Sequence, residues 1–254
     1  MIARYAGGES GARAAARAGA LVVVVDAFRA STTIAVLISK GARVVPVASV
    51  EEAASAATDF RIGERGSAKV AGFDFGNSPT EILGSEIPSG STVALSTTNG
   101  TRIVEAAGGA GAILTGAFVN AGILAEDLAG GAYDDAEVVV VGCGWEGRRA
   151  SEDEAAAGAI LHRLGSRGAE LDGRAGRVVE GYLFRSMRTL RNNSAARRLK
   201  RLGYERDLDF CLAEDTVPVV PRLVGDAFVG WIAGSGWPRQ SSARGPTQKA
   251  EISS

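Results

Sequence analysis

The chain has 254 residues, with 28 Lys and Arg against 29 Asp and Glu and a formal net charge of -1. A chain of this length can bury one large core, and we predict a single α/β domain over residues 1–241. The balanced charge excludes a broad basic surface for nucleic acid or anionic lipid, although a small anion needs only a local patch.

The two cysteines cannot form a disulfide framework. The apolar run from Leu21 to Val25 stops at Asp26, which makes it too short for a membrane span or a signal-peptide core. We therefore expect a cytoplasmic protein that does not contact a membrane. The only histidine, His162, lies in a predicted helix and is expected to be structural, which argues against a histidine-rich zinc site.

Three segments share one plan, in which a short apolar strand is followed by a polar turn and a helix. They run from Leu21 to Ser49, from Thr92 to Ala117 and from Ala136 to Leu164. The first helix is predicted to end at Lys40–Gly41, a cation followed by a glycine. The first two segments each continue into a second strand after a glycine, which indicates a weak internal duplication.

The valine-rich runs in these segments are typical of strands that are buried on both faces. Their alternation with helices predicts a three-layer α/β/α fold with a largely parallel sheet. In such sheets ligands bind outside the carboxyl ends of the strands. We therefore expect all three polar turns to face one site.

The first polar turn, "DAFRAST", places Asp26 at the end of a strand and Arg29 three residues later. The two side chains can form a simple ion pair. A carboxylate at this point can also bind Mg²⁺ or attack a phosphoryl group, with Arg29 as a bidentate clamp on its oxygens. Ser31 or Thr32 is expected to cap the helix that follows.

The second turn, "STTNGT", follows a strand and precedes a helix, and it is unusually rich in hydroxyl groups. The start of a helix attracts phosphate or carboxylate because its amides are unpaired and carry partial positive charge. An N-cap alone would need one hydroxyl or amide. Both interpretations remain open for the turn residues Thr97, Thr98, Asn99, Gly100 and Thr101.

The third turn leads into "SEDE", in which Ser151 and Glu154 are predicted to form a capping box. A cap does not need three consecutive carboxylates. Glu152 and Asp153 would repel their neighbours, and a hard divalent cation would relieve that repulsion.

Between the first two segments, Gly63 to Leu83 is predicted to be a long, functional, glycine-rich loop. Its end, "NSPTE", forms a second predicted capping box with Pro79 at the first helical position. Capping leaves three residues of the loop without an explanation, namely Asp74, Gly76 and Asn77.

Three further features complete the chain. "CGWEGRR" has the C-x5-R spacing of cysteine-dependent phosphatases, with Cys143 and Arg149 at its ends. Residues 165–203 are predicted to be helical and arginine-rich, with a basic face over solvent or near a bound anion. Residues 242–254 have the composition of a disordered tail.

Seven motifs, taken in order, resemble those of the 2-phosphosulfolactate phosphatase (ComB) family over residues 20–221. They are "DAFRASTT", "GERG", "GFDFGNSPTE", "STTNGT", "GAFVNA", "GCGWEGRRASEDEAAAG" and "ARRLKRLGYERDLDFCLAEDTVPVVP". Cys143 falls one place later than the cysteine of the family pattern, so we interpret the C-x5-R spacing as coincidence. Ala27–Phe28 and Trp145 are further departures from that pattern.

The resemblance implies a Mg²⁺-dependent enzyme that hydrolyses the phosphate ester of 2-phosphosulfolactate to sulfolactate, in the route to coenzyme M. It implies catalytic roles for Asp26, Arg29, Glu152 and Asp153. With the turn analysis, it implies metal binding by Asp26, Glu64, Glu152 and Asp153. The expected substrate contacts are Ser31, Thr32, Asp74, Gly76, Asn77, Thr97, Thr98, Asn99, Gly100, Thr101 and Asn120.

Two other classes of function remain open at this point. One is a domain that binds a phosphorylated metabolite without hydrolysing it, and the other is a cysteine-dependent phosphatase that uses Cys143 and Arg149. The expected partner in each case is a small phosphate compound, and a homodimer is left open.

Overall fold

The computed structural model describes residues 1–130, 133 and 136–232. The predicted tail, residues 242–254, lies outside this described part, as does the end of the predicted domain. Among the described helices, none combines the length and the apolar character that crossing a bilayer requires.

Helices and one mixed sheet alternate along the described chain. The strands are β1 (Ile2–Gly7), β2 (Leu21–Val25), β3 (Arg43–Pro46), β4 (Phe60–Arg65), β5 (Ala68–Lys69), β6 (Thr92–Ser96), β7 (Ala112–Thr115), β8 (Glu137–Gly142), β9 (Glu170–Leu171), β10 (Val219–Val224) and β11 (Ala227–Ile232). The helices are α1 (Gly8–Arg17), α2 (Ala30–Ser39), α3 (Val50–Ser55), α4 (Pro79–Leu83), α5 (Gly100–Ala106), α6 (Ala121–Leu128), α7 (Ser151–Gly165), α8 (Ala175–Phe184), α9 (Met187–Leu190), α10 (Ser194–Arg201) and α11 (Glu205–Cys211), with a 3₁₀ turn at Phe118–Asn120.

The strands form an eleven-stranded sheet of order β5-β4-β6-β3-β11-β10-β7-β2-β8-β1-β9. Two parallel blocks make up most of it, one formed by β7, β2, β8, β1 and β9 and the other by β3, β6 and β4. The hairpin β10–β11 joins them and is antiparallel to both β7 and β3. The two blocks therefore run in opposite directions across the sheet.

The two predicted repeat units exchange their final strands. The first unit is β2-α2-β3 and the second is β6-α5-β7. Strand β2 of the first pairs with β7 of the second, and β6 of the second pairs with β3 of the first. This reciprocal pairing relates the units by an approximate two-fold rotation and explains why the two blocks point in opposite directions.

This arrangement corrects one part of the sequence analysis. The polar turns after β2 and β6 do meet, but they do not lie at the carboxyl edge of one parallel block, because β2 and β6 run in opposite directions. The first and third turns, which follow the parallel strands β2 and β8, do share such an edge.

Helices cover both faces of the central strands, as the three-layer prediction requires. In β2, Val22 and Val24 pack in a core with residues of α1, α2 and α5. Val23 and Val25 point the other way and pack with residues of α6, α7 and α8. The predicted α/β/α fold, with valine-rich strands buried on both faces, is confirmed.

Local signals at helix ends were correct in two places. Helix α2 ends before Lys40, and Gly41 follows with φ of 81°. In α4, Pro79 is the first residue and the Ser78 side chain accepts a hydrogen bond from the Glu81 amide at 3.2 Å.

The capping box predicted at Ser151 and Glu154 is wrong. Helix α7 starts at Ser151 itself, Ala150 occupies the cap position and no side chain caps the helix. The carboxylate of Glu154 pairs instead with the guanidinium groups of Arg149 and Arg174. The predicted loop from Gly63 to Leu83 also contains regular structure, since part of β4 and all of β5 and α4 lie within it.

Candidate active site

The starts of α2 and α5 meet around Gly100. A Cβ atom added to Gly100 would lie 3.2 Å from the Cβ of Ala30 and 3.3 Å from both Asp26 Oδ2 and Thr97 Oγ1. Glycine therefore lets the turn after β6 approach the carboxylate that follows β2. Thr97 Oγ1 is buried and has no hydrogen-bond partner among the described residues. A carboxylate oxygen and an unpaired hydroxyl thus converge on one point.

Asp26 is a partly buried carboxylate with a strongly shifted pKa. Its Oδ1 accepts a hydrogen bond from the Ala30 amide at 3.3 Å, while its Oδ2 faces Gly100. Burial raises the pKa of Asp26 to about 7, and the neighbouring carboxylates of Glu64 and Glu152 also raise it. The charge of Asp26 is therefore poorly compensated, and a cation bound beside it would stabilise its ionised form.

Glu64, at the end of β4, supplies a second buried carboxylate next to the turn after β6. Its Oε1 accepts hydrogen bonds from the Ser67 amide at 2.6 Å and from Thr98 Oγ1 at 3.0 Å. These contacts hold Thr98 and the loop after β4 against each other. The charge of Glu64 also acts on Asp26, so Glu64 borders the site.

Asp153 links two of the polar turns. Its Oδ1 accepts a hydrogen bond from the Ala27 amide at 2.9 Å, and its Oδ2 accepts one from the Gly144 amide at 2.8 Å. Burial raises the pKa of Asp153 well above its ordinary value, and the charges of Asp26 and Glu152 add to the shift. Both oxygens of Asp153 are thus used to hold backbone, so the observed contacts give it a positioning role.

Glu152 is held by Asn193, the residue that caps α10. Its Oε2 accepts a hydrogen bond from Asn193 Nδ2 at 2.7 Å and a longer one from Ser151 Oγ at 3.4 Å. Burial raises the pKa of Glu152, although these hydrogen bonds and the charge of Arg198 oppose the shift. Its other carboxylate oxygen makes no hydrogen bond within the described residues.

Arg29 is almost fully buried, and two of its guanidinium nitrogens already donate hydrogen bonds inside the protein. Its NH1 group donates to Asp207 Oδ2 at 2.6 Å and its NH2 group to the Ser67 carbonyl at 2.7 Å. The guanidinium also stacks over the Tyr204 ring, 4.2 Å from the centroid. These contacts make Arg29 a connection between the first turn, α11 and the loop after β4. Its predicted role as a phosphate clamp remains a prediction.

Several predicted substrate contacts use their polar atoms inside the protein. Ser31 Oγ accepts from the Asp26 amide, Thr32 Oγ1 donates to the Ala27 carbonyl, and Thr101 Oγ1 donates to the Thr97 carbonyl. Asn120 accepts from the Ala117 amide and donates to the Val219 carbonyl, so both ends of its side chain are paired. These four side chains therefore stabilise the backbone of the turns in which they lie.

The remaining predicted residues are spread around the site. Asp74 is exposed and accepts a hydrogen bond from the Arg61 amide at 2.7 Å. Gly76 packs against Lys69. Asn77 is 3% exposed, and its Oδ1 has no hydrogen-bond donor among the described residues. Asn99 Oδ1 accepts from the Glu146 amide at 3.3 Å, which joins the second turn to the third.

The environment of Cys143 argues against a cysteine nucleophile. Burial raises the pKa of its thiol well above the ordinary value, and the carboxylates of Asp26 and Asp153 raise it further. A nucleophilic cysteine needs the opposite shift. Arg149 donates two hydrogen bonds to Glu154, at 2.5 and 2.8 Å, so it is occupied by a carboxylate.

We call Asp26, Glu64, Glu152 and Asp153 the carboxylate cluster. A cleft of 320 Å³ opens next to it. Asp153 and Cys143 line it on one side, and the β1–α1 junction lines it on another. Four arginines contribute to its wall, namely Arg102, Arg148, Arg149 and Arg174. Arg102 pairs with Glu9, and Arg149 and Arg174 pair with Glu154, whereas Arg148 forms no ion pair with a described residue. The cleft therefore places one unpaired and three paired guanidinium groups beside the edge of the carboxylate cluster, where a small organic anion can bind them.

The donor chemistry at the carboxylate cluster suits a hard cation. Within the described residues, no three Asp, Glu, His or Cys side chains converge as a closed metal cage. Mg²⁺ is commonly held by only one or two carboxylates together with waters and substrate oxygens. Asp26 and Glu152 offer carboxylate oxygens that make no hydrogen bond with the described residues. The residues present therefore fit an open Mg²⁺ site.

Sequence reasoning missed the residues that support the site from elsewhere in the chain. Asp207 and Tyr204 hold Arg29, and Asn193 holds Glu152. The motif "LGYERDLDF" contained Tyr204 and Asp207, but no local pattern assigned them a partner. The β1–α1 junction lies before the region of resemblance, and only the pairing of β1 with β8 reveals its place in the cleft.

Comparison with known proteins identifies the family of the chain. The model of a family described as 2-phosphosulpholactate phosphatase matches residues 10–226. Three proteins named probable 2-phosphosulfolactate phosphatase are similar. The one from Gloeobacter violaceus is 38% identical (79% of this chain, 86% of the relative). The one from Thermosynechococcus vestitus is 39% identical (80% and 88%). The one from Thermotoga maritima is 37% identical (82% and 90%).

Together, the α/β fold, the carboxylate cluster and these relatives define a phosphoric monoester hydrolase. The chain belongs to the 2-phosphosulpholactate phosphatase family.

Proposed function

We propose that the protein hydrolyses the phosphate monoester of 2-phosphosulfolactate and releases sulfolactate and phosphate. The observation that carries this proposal is the convergence of Asp26 Oδ2 and the unpaired Thr97 hydroxyl beside Gly100. Membership of the family and the names of the relatives support the choice of substrate.

In this proposal the phosphate group lies between the two repeat units. The Thr97 hydroxyl and the first amides of α5 donate hydrogen bonds to its oxygens, because those amides have no partners within the helix. Asp153 holds the first and third turns together, because it accepts a hydrogen bond from a backbone amide of each. Glu64 orients Thr98 in the second turn.

Mg²⁺ completes the proposed site and would be held by Asp26 together with Glu152. When bound, it supplies positive charge next to the phosphate oxygens and lowers the pKa of bound water. Asp153 is less suited to direct metal binding, because both of its carboxylate oxygens accept hydrogen bonds from backbone amides. Glu64 remains a candidate third ligand, because only its Oε1 accepts hydrogen bonds from described residues.

The arginines of the cleft are proposed to bind the second acidic end of the substrate. Arg102 and Arg148 both line the cleft. Arg102 lies in α5, just after the second polar turn, and Arg148 lies in the loop before α7, which forms the third. A guanidinium group matches the geometry of sulfonate and carboxylate oxygens. This division would place the phosphate near Asp26 and the sulfonate in the cleft.

The proposal is tested by measuring phosphate release from 2-phosphosulfolactate with added Mg²⁺ and after EDTA treatment. We expect release that stops with EDTA and returns when Mg²⁺ is restored. The substrate analogue 2-phospholactate, which lacks the sulfonate, should react with a higher KM because it cannot use the cleft arginines. Release that continues in EDTA would contradict the metal assignment, and binding without any release would identify a phosphometabolite-binding domain.

A further inference from the structure

A second concavity adjoins the cleft at Arg149 and Arg174, which line both. It is a groove of 660 Å³ between the first turn of α7 and the outer face of α8. Four arginines line it, namely Arg149, Arg174, Arg177 and Arg185. We call it the arginine groove. Gly181 contributes to its wall, and a Cβ atom added there would meet no other atom within 4 Å, so this part of the groove is open.

Positive charge is largely uncompensated in the arginine groove. Glu154 is the one carboxylate in its lining, and it pairs with both Arg149 and Arg174. Arg177 and Arg185 form no ion pair with any described residue. An ordinary solvated helix face mixes both signs of charge. Four guanidinium groups around one concavity, with a single carboxylate, instead form an anion-binding surface.

The spacing of these arginines selects for an extended ligand. Arg174 and Arg185 flank α8 at its two ends. Their backbones are eleven residue steps apart, which corresponds to about 16 Å along a helix axis at about 1.5 Å per residue. A ligand with several phosphoryl groups along its length can contact arginines at both ends of the helix with different groups, and so use more of the lining than a single phosphate does.

We propose that the arginine groove binds a small polyanion that carries two or more phosphoryl groups, at a site separate from the reaction centre. Arginine is suited to this chemistry because its planar guanidinium donates two parallel hydrogen bonds to phosphate oxygens. The groove shares Arg149 and Arg174 with the cleft. A bound polyanion would therefore compete with Glu154 for these two arginines, which links the groove to the cleft wall.

The proposal is tested by isothermal titration calorimetry, in which tripolyphosphate is added to the full-length protein at physiological ionic strength and its dissociation constant is measured. Three double variants remove the same amount of charge. Arg177→Gln with Arg185→Gln changes the groove, Arg102→Gln with Arg148→Gln changes the cleft, and Arg188→Gln with Arg201→Gln changes exposed residues outside both. Circular dichroism and thermal unfolding establish that each variant is folded.

We expect the groove variant to bind tripolyphosphate about tenfold more weakly or worse, because two charge-assisted hydrogen-bonding groups are lost. The cleft variant and the exposed variant should bind it nearly as well as the wild type. Absence of binding to the wild-type protein would overturn the proposal. So would a loss of affinity in the cleft variant alone, or an equal loss in all three variants, which would indicate binding at the reaction centre or non-specific charge attraction.

Discussion

At the scale of single residues, the proposed function depends on what surrounds Asp26 as well as on Asp26 itself. The carboxylate is partly buried beside Glu64, Glu152 and Asp153, and its pKa rises to about 7. Gly100 allows the turn after β6 to come within contact distance of it. The proposed reaction therefore needs a small residue at position 100 as much as it needs the carboxylate.

Gly100→Ala tests that requirement. The added methyl group would press on Ala30, Asp26 and Thr97 at 3.2 to 3.3 Å, so it should displace the carboxylate by a few tenths of an ångström. We expect kcat/KM to fall about 10- to 100-fold, while the free energy of unfolding changes by less than about 1 kcal/mol. The control is Gly176→Ala in α8, where a Cβ atom meets nothing within 4 Å. Equal activity of the two variants would contradict the close approach.

The sequence predicted which residues gather at the site better than it predicted what each one does. Asp26, Thr97, Glu152 and Asp153 lie at the turns where strand ends were expected. Arg29 is buried against Asp207, a partner 178 positions away that no local pattern could reveal. Ser31 and Thr32 were predicted to contact the substrate, but their hydroxyls form hydrogen bonds with the backbone of the first polar turn.

At the scale of elements, α11 supports the first polar turn. Asp207 lies in this helix and is 1% exposed. Its Oδ2 accepts from Arg29, and its Oδ1 accepts from the Ser78 hydroxyl at 2.8 Å and from Thr80. One carboxylate thus ties α11 to the start of α4 and to the turn that contains Asp26. The site is therefore sensitive to changes in a helix that does not line it.

Asp207→Asn should weaken both the fold and the reaction. It leaves the buried Arg29 guanidinium without a counter-ion, and removal of one partner of such a pair costs about 3 to 5 kcal/mol. The matched control is Asp209→Asn, two residues along the same helix, whose carboxylate pairs with Arg191 at the surface. That variant should lose about 1 kcal/mol or less in urea unfolding. Equal stability of the two variants would refute the support role of α11.

At the scale of the whole molecule, the exchange of strands between the two repeat units builds the site. Each unit contributes one turn and one helix start, and the hairpin β10–β11 joins the two parallel blocks. The sequence indicated the repeat and the α/β/α layers from valine-rich strands and glycine positions. It could not reveal the exchange, because β2 can pair with either β3 or β7 without any change in its apolar pattern.

Gly230→Ala tests the packing of that central hairpin. A Cβ atom at Gly230 in β11 would lie 1.7 Å from Ile38 Cγ2, so α2 could no longer pack against the hairpin as it does. We expect a loss of about 1 to 3 kcal/mol or more in unfolding free energy, as for other overpacked cores. Gly7→Ala in β1, whose nearest neighbour would be 3.9 Å away, should leave stability nearly unchanged. A stable Gly230→Ala variant would contradict this packing.

The most direct test of the central claim compares phosphate release from 2-phosphosulfolactate by the wild type, Asp26→Asn and Cys143→Ser in the presence of Mg²⁺. We predict that Asp26→Asn loses activity by a factor on the order of 10² to 10⁴ while its fold is retained. Cys143→Ser should keep most of its activity, because the thiol is buried with a raised pKa. A fully active Asp26→Asn variant, or an inactive Cys143→Ser variant that is correctly folded, would contradict the account.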